Sequence, residues 1–288
     1  MPRPLIRAGS EAMQVIDINT VPEEEIPHVR QGVFRSRKLL TGEAGSPDNF
    51  ALQLVSLPET YDSPRHRHNF DQVRYQIEGE FDFGSDGKMQ PGSIAYFPEA
   101  TRYGPQAGRG RSLTLVLQFG GASGSGYISA QQYARAMEEL SRQGSFDKGV
   151  YTRTGEDGGR VNQDAYEAVW ERVNGRRLEY PKQRYARPVF MEPENFDWVA
   201  VPEHTGVQCK LLGVFSERGT RIALYRLHAG ATLPLEDNAI YFVDDGSGEV
   251  DGRPYGRYTT IHLDPGEGAV ATASAESVFL QLGLPRFD

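Results

Sequence analysis

The chain has 288 residues, 38% hydrophobic and 24% charged, a composition that excludes disordered and fibrous classes and suits two domains of ordinary size. Thirty-nine acidic against 31 basic residues give a formal net charge of −8, which repels a phosphate backbone and argues against a nucleic-acid partner. The single cysteine, Cys209, cannot form an internal disulfide or a thiolate metal cluster, and no run of about 18 apolar residues reads as a membrane span. A cytoplasmic protein with no membrane partner is therefore expected.

In chain order, residues 49–101 carry an apolar strand ending in a turn, then a Pro-bearing loop with His66 and His68. An aromatic strand follows and closes on Gly79-Glu80, and the Pro91-Gly92 turn leads into a further apolar strand. The Gly-rich run from Gly120 to Ser129 lacks the Gly-Lys-Ser/Thr ending of a phosphate loop and is expected to be a flexible exit from a barrel. Ser129 is a candidate N-cap for a helix that puts Tyr133, Met137 and Leu140 on one face before Gly144 stops it. A second helix aligns Tyr166, Val169, Trp170 and Val173 and ends at Gly175. The polar "TRTGEDGGR" between them reads as a mobile loop or lid.

Residues 221–277 repeat the first segment's order of features, with Gly248-Glu249 and Pro265-Gly266 in the corresponding places. The expectation is an all-β chain of two tandem antiparallel barrels with a helical insertion, divided as 1–126, 127–190 and 191–288.

In a strand, residues two apart share a face, so His66, His68 and Gln72 can direct two imidazoles and an amide oxygen into one cavity. Such a set suits a divalent transition metal ion: Fe, Mn, Ni, Co, Cu or Zn. The bland alternative is that both histidines only hydrogen-bond at a polar barrel mouth. Arg74 continues the inward parity. It is either a clamp for an acidic substrate or one half of an internal salt bridge to Glu78, Glu80 or Glu99.

The arrangement resembles the cupin superfamily. His66-Arg67-His68 match its paired histidines, Gln72 falls on the acidic position, and Gly79 on the closing glycine. Pro91-Gly92 opens its second motif, with Tyr103 where a histidine is expected. The resemblance covers both repeats and implies tandem jelly-roll barrels. It also implies a metal held by His66, His68, Gln72 and Tyr103, with Tyr103 as ligand or acid/base group. In the second repeat "LEDNAIYF" and "TASAES" leave no imidazole at the ligand positions, and His228 and His262 read as structural. That half is expected to be a scaffold, useful in forming a homodimer or in closing the first barrel. The functional expectation is a metal-dependent dioxygenase or isomerase acting on a small acidic or aromatic molecule. The alternative is a non-catalytic bicupin that binds a small molecule or serves a structural role.

Overall fold

The computed structural model describes residues 13–27, 33–57 and 60–287. The chain groups into two compact units: Val21–Phe196 with Phe287, and Asp197–Arg286 with the described residues up to Thr20. Each is built on antiparallel sheet, as the short alternating runs and their Gly and Pro punctuation require.

In the first unit the main sheet runs in the order Val189–Met191, Ile94–Phe97, Asp71–Asp82, Gln106–Phe119, Phe50–Leu57, Val33–Thr41 and Glu24–Pro27. Its register decides which side chains meet. Gln72 lies opposite Gln118, while Gln53, Val116 and Arg74 form one row across three strands. The strand Asp71–Asp82 is irregular on either side of Glu78, and Gly79 there adopts φ 75°. A Cβ at that position would meet the carbonyl oxygen of Arg111, which is why the strand has glycine at this point.

The two expected helices are present as α1 (Ala130–Ser141) and α2 (Ala165–Asn174). Ser129 and Gln132 form a reciprocal capping box on α1, and Gly175 ends α2 in the left-handed conformation. Their apolar stripes pack together with Phe70, Ile128 and Leu178 in one cluster centred on the buried Val169 and Trp170. The segment read as a mobile loop is instead part of a three-stranded sheet, Gly144–Asp147, Val150–Thr154 and Arg160–Asp164. Its turn closes through Gly155 N–H donating to Gly159 O at 2.7 Å.

The second unit has a seven-stranded sheet, with Ala239–Asp245, Ser277–Gly283 and Arg221–Leu227 adjacent at its centre, and a four-stranded sheet, Thr232–Leu235, Ala269–Ala273, Gly248–Val250 and Arg253–Tyr255. Gln14–Ile16 completes one edge of the larger sheet by pairing with Thr260–Leu263. Its register repeats that of the first unit: Tyr241 lies opposite Gln281 as Gln72 lies opposite Gln118, and Val243 lies opposite Phe279 as Arg74 lies opposite Val116. The arginine position of the first barrel is thus a valine in the second, where Tyr225, Leu235, Val243 and Phe279 belong to one buried apolar core. His228 pairs with Glu276 at 3.0 Å, and His262 is buried on the strand Thr260–Leu263.

Candidate functional site

His66 and His68 lie just before the strand Asp71–Asp82 and are tied to the segment at Tyr103. His66 and Tyr103 exchange backbone hydrogen bonds (3.1 and 2.9 Å), and Ala100 N–H donates to His68 O at 2.7 Å. This pairing buries both imidazoles, with ring centroids 4.9 Å apart. His66 Nδ1 is 2.7 Å from the carbonyl of Pro64. A carbonyl only accepts, so Nδ1 carries the proton and Nε2 presents a lone pair. The Tyr103 hydroxyl is 3.1 Å from that Nε2 and 3.3 Å from His68 Nδ1. It therefore donates to His66 and turns its own lone pair toward His68. His68 is stacked on Phe70 (4.4 Å, 8°) and meets the edge of Tyr166 from α2.

Gln72 does not join this cluster. Arginine is a pure donor, so the neighbouring amide must offer its oxygen. With the Gln72 amide turned accordingly, its oxygen accepts from Arg74 Nε at 2.8 Å and Nη2 at 3.1 Å, and its nitrogen faces the Gln118 amide at 2.9 Å. Arg74 Nη1 donates to Gln106 Oε1 at 2.7 Å, which leaves Gln106 Nε2 directed at His66 Nε2, 3.5 Å away. The guanidinium also lies against aromatic rings, with Cζ 5.0 Å from the Phe97 centroid and 6.0 Å from that of Tyr103.

The salt bridge considered for Arg74 does not form. Glu80 pairs with Lys88 and Glu99 with Arg184, and among the described residues no carboxylate partners the Arg74 guanidinium. Arg74 instead lines a cavity of about 150 Å³. The polar wall of this cavity includes Gln53, Gln72, Gln106 and Gln118; its apolar wall includes Phe34, Val55, Leu57, Phe81 and Val116. His66, His68 and Tyr103 stand behind this lining, with Gln106 between His66 and the cavity.

The donor set can be tested against the metal that the fold suggests. Two imidazoles and a phenol oxygen converge, but the expected amide oxygen is spent on Arg74. Among the described residues no three His, Cys, Asp or Glu side chains are grouped to hold an ion. A divalent ion at Tyr103 would add its charge to that of a nearby guanidinium, with no carboxylate among the described residues grouped there to balance either. This shell fits a resident divalent ion poorly, and the cation that lines the cavity among the described residues is Arg74.

On the opposite face of the same strand, Asp71 accepts from Tyr96 Oη–H (2.7 Å) and from Glu99 N–H (2.8 Å). Burial pushes its carboxyl up to about 7, against the lowering effect of those two donors. The folded chain thus keeps a proton that the unfolded chain releases near the ordinary value of 3.8. Stability from this group is fully present below that value and is lost as pH rises to about 7. Asp71→Asn can keep both contacts if the Tyr96 hydroxyl reverses. The stability difference between wild type and this variant, from urea unfolding, is expected to shift against wild type from pH 4 to 7 and to be flat above.

The Gly-rich run after Phe119 was expected to be a flexible exit, and the structure shows it fastened. The buried Glu99 accepts from Ser123 N–H (2.9 Å) and Ser123 Oγ–H (2.5 Å), and Asn49 Nδ2 donates to Tyr127 O at 2.7 Å. The anion held by this run is the chain's own carboxylate.

No family model and no curated protein matches the sequence. Among solved structures, a Nostoc punctiforme protein provisionally described as a dioxygenase aligns over 96% of this chain and 83% of its own, at 13% identity and TM-score 0.65. A Pseudomonas aeruginosa protein provisionally described as glyoxylate-induced aligns over 100% and 95%, at 14% identity and TM-score 0.61. Bacillus subtilis oxalate decarboxylase, a protein with Mn(II) centres, aligns over 99% and 81%, at 14% identity and TM-score 0.54. At these identities the likeness carries the fold, and activity has to be argued from the site. In fold this chain is two antiparallel jelly-roll barrels in tandem with a helical insertion, the fold shared with these structures.

Proposed function

We propose that the N-terminal barrel binds a small carboxylic acid and holds its carboxylate on Arg74. The observation that carries this reading is a guanidinium lining a cavity, bonded to neutral amides and with no carboxylate partner among the described residues. A cation in such a place is poorly compensated, and a planar carboxylate both balances its charge and matches its fork of donors. The cavity is smaller than the usual 300–1,000 Å³ of drug-sized sites, so the ligand is small.

Hydrogen bonds to charged groups contribute about 1.5–3 kcal/mol. Arg74→Gln is therefore expected to weaken hexanoate binding by roughly ten- to a hundredfold in calorimetric titration, and Arg74→Lys to restore only part of it, since an ammonium keeps the charge without the fork. Equal affinity in wild type and Arg74→Gln would refute the reading.

The competing reading is a metal-dependent dioxygenase or isomerase using His66, His68 and Tyr103. In its favour is the convergence of both imidazoles on the Tyr103 oxygen. It requires about one equivalent of transition metal in protein purified without chelators, lost in His66→Ala and His68→Ala.

A further inference from the structure

We infer that the ligand of the N-terminal barrel is a monocarboxylate bearing a second, uncharged acceptor oxygen, an oxo or related acid, and that Gln53 recognises this second oxygen. The inference rests on the reading of Arg74 as a carboxylate clamp and adds what the rest of the cavity selects.

The hydrogen-bonding inventory of the wall is largely spent on itself. Of the five guanidinium N–H groups of Arg74, two go to the Gln72 oxygen and one to Gln106, which leaves one on each Nη. With Gln72 turned toward Arg74, the Gln118 amide between it and the Tyr127 hydroxyl turns as well, its oxygen accepting from the Gln72 nitrogen and its own nitrogen donating to the Tyr127 oxygen, so that both ends are engaged. Gln106 reaches Arg74 with its oxygen and His66 with its nitrogen. Thr114 spends its hydroxyl proton on Gln76 Oε1. Gln53 differs: its Oε1 accepts from Ser36 Oγ–H at 3.0 Å, and its Nε2 has no partner among the described residues. Leaving aside Tyr61, which also lines the cavity, the described residues of the wall offer unspent donors at two places, Arg74 and Gln53.

These two places are separated in a defined way. Gln53 and Arg74 both lie opposite Val116, in one row across three strands. Strands are spaced about 4.7–4.9 Å apart, so the two backbones stand about 10 Å from each other, with the Val116 side chain between them. A ligand that satisfies both donors places its carboxylate at Arg74, a short apolar stretch over Val116, and an acceptor oxygen at Gln53. That oxygen is uncharged, because Arg74 is the sole Lys, Arg or His among the described residues of the lining and a second carboxylate would face neutral amides and apolar side chains. At about 30 Å³ per water, the cavity has room for roughly five water-sized groups, enough for a short acid and too little for a sugar nucleotide.

The test is calorimetric titration of pentanoate, hexanoate, 4-oxopentanoate, 5-oxohexanoate and pentanedioate into wild type, Gln53→Leu and Arg74→Gln, at fixed ionic strength. At least one oxo acid is expected to bind wild type about fivefold or more tighter than its parent acid. That preference should vanish in Gln53→Leu while the parent acid's affinity holds, and pentanedioate should bind at least tenfold more weakly than the favoured oxo acid. The inference falls if pentanedioate matches the oxo acids, if neither oxo acid is preferred, or if the preference survives Gln53→Leu. The underlying reading fails separately: no acid binds wild type, or all bind Arg74→Gln equally well. The thermal unfolding midpoint of each variant shows that a lost preference is not lost folding.

Discussion

Glu99→Ala is expected to destabilise the first unit by about 3–5 kcal/mol, the cost of breaking a buried ion pair by deleting one partner. The Glu99 side chain is 1% exposed and accepts from Arg184 and from both the amide and the hydroxyl of Ser123. Its loss leaves a guanidinium without this counter-charge and a loop amide without its acceptor, in a place that water reaches poorly. Glu99→Gln keeps one acceptor oxygen, for the Ser123 amide, and loses the charge and the second acceptor, where the Ser123 hydroxyl can reverse, so a smaller cost, about 1–2 kcal/mol, is expected. Urea unfolding followed by tryptophan fluorescence reads both values. A cost below about 1 kcal/mol for the alanine variant would show that the Ser123 loop is not held by this carboxylate.

Gly79→Ala is expected to cost about 2–4 kcal/mol, more than an ordinary glycine replacement. Two terms add: a left-handed backbone angle costs a residue with a Cβ roughly 1–3 kcal/mol, and the added carbon would collide with the Arg111 carbonyl on the neighbouring strand. Gly92 is the control, because it has φ 93° but nothing within 4 Å of a Cβ, so Gly92→Ala pays only for the backbone angle, about 1 kcal/mol. If the two variants unfold at the same urea concentration, the collision is absorbed by strand movement and the close approach at Gly79 is not a constraint.

Gly79 also shows what was legible in the sequence. A glycine was read there as closing an aromatic strand; the strand runs on to Asp82, and the register shift and the Arg111 carbonyl supply the reason for the glycine. The convergence of His66 and His68 was equally legible, because it depends on local spacing. The expectation that failed for Arg74 was its carboxylate partner: Glu78 and Glu80 are near it in sequence, but its actual partners include Gln106, 32 residues away on the next strand. The register sets Arg74 against Val116 and leaves Gln106 at the far end of that strand, opposite Ser63, so the two side chains meet only because the sheet curls over on itself, which sequence spacing does not show. Gln72 was read by parity as a ligand for the histidines, and parity holds. What parity does not encode is that a cation two residues along the same face competes for the amide oxygen and wins it. The sheet formed from 144–164 was missed because its strands are short and only Tyr151 in them is buried, with little apolar alternation to mark them.

On the proposed reading the working cation of the N-terminal barrel is a fixed guanidinium, whereas Bacillus subtilis oxalate decarboxylase, which shares the fold, has Mn(II) centres. The most direct test of that reading is titration of hexanoate into protein that has been exhaustively chelated and checked by elemental analysis. Binding that persists undiminished without metal and collapses in Arg74→Gln is the expected result. Binding that disappears on chelation, returns with one equivalent of a divalent ion, and survives Arg74→Gln would contradict it.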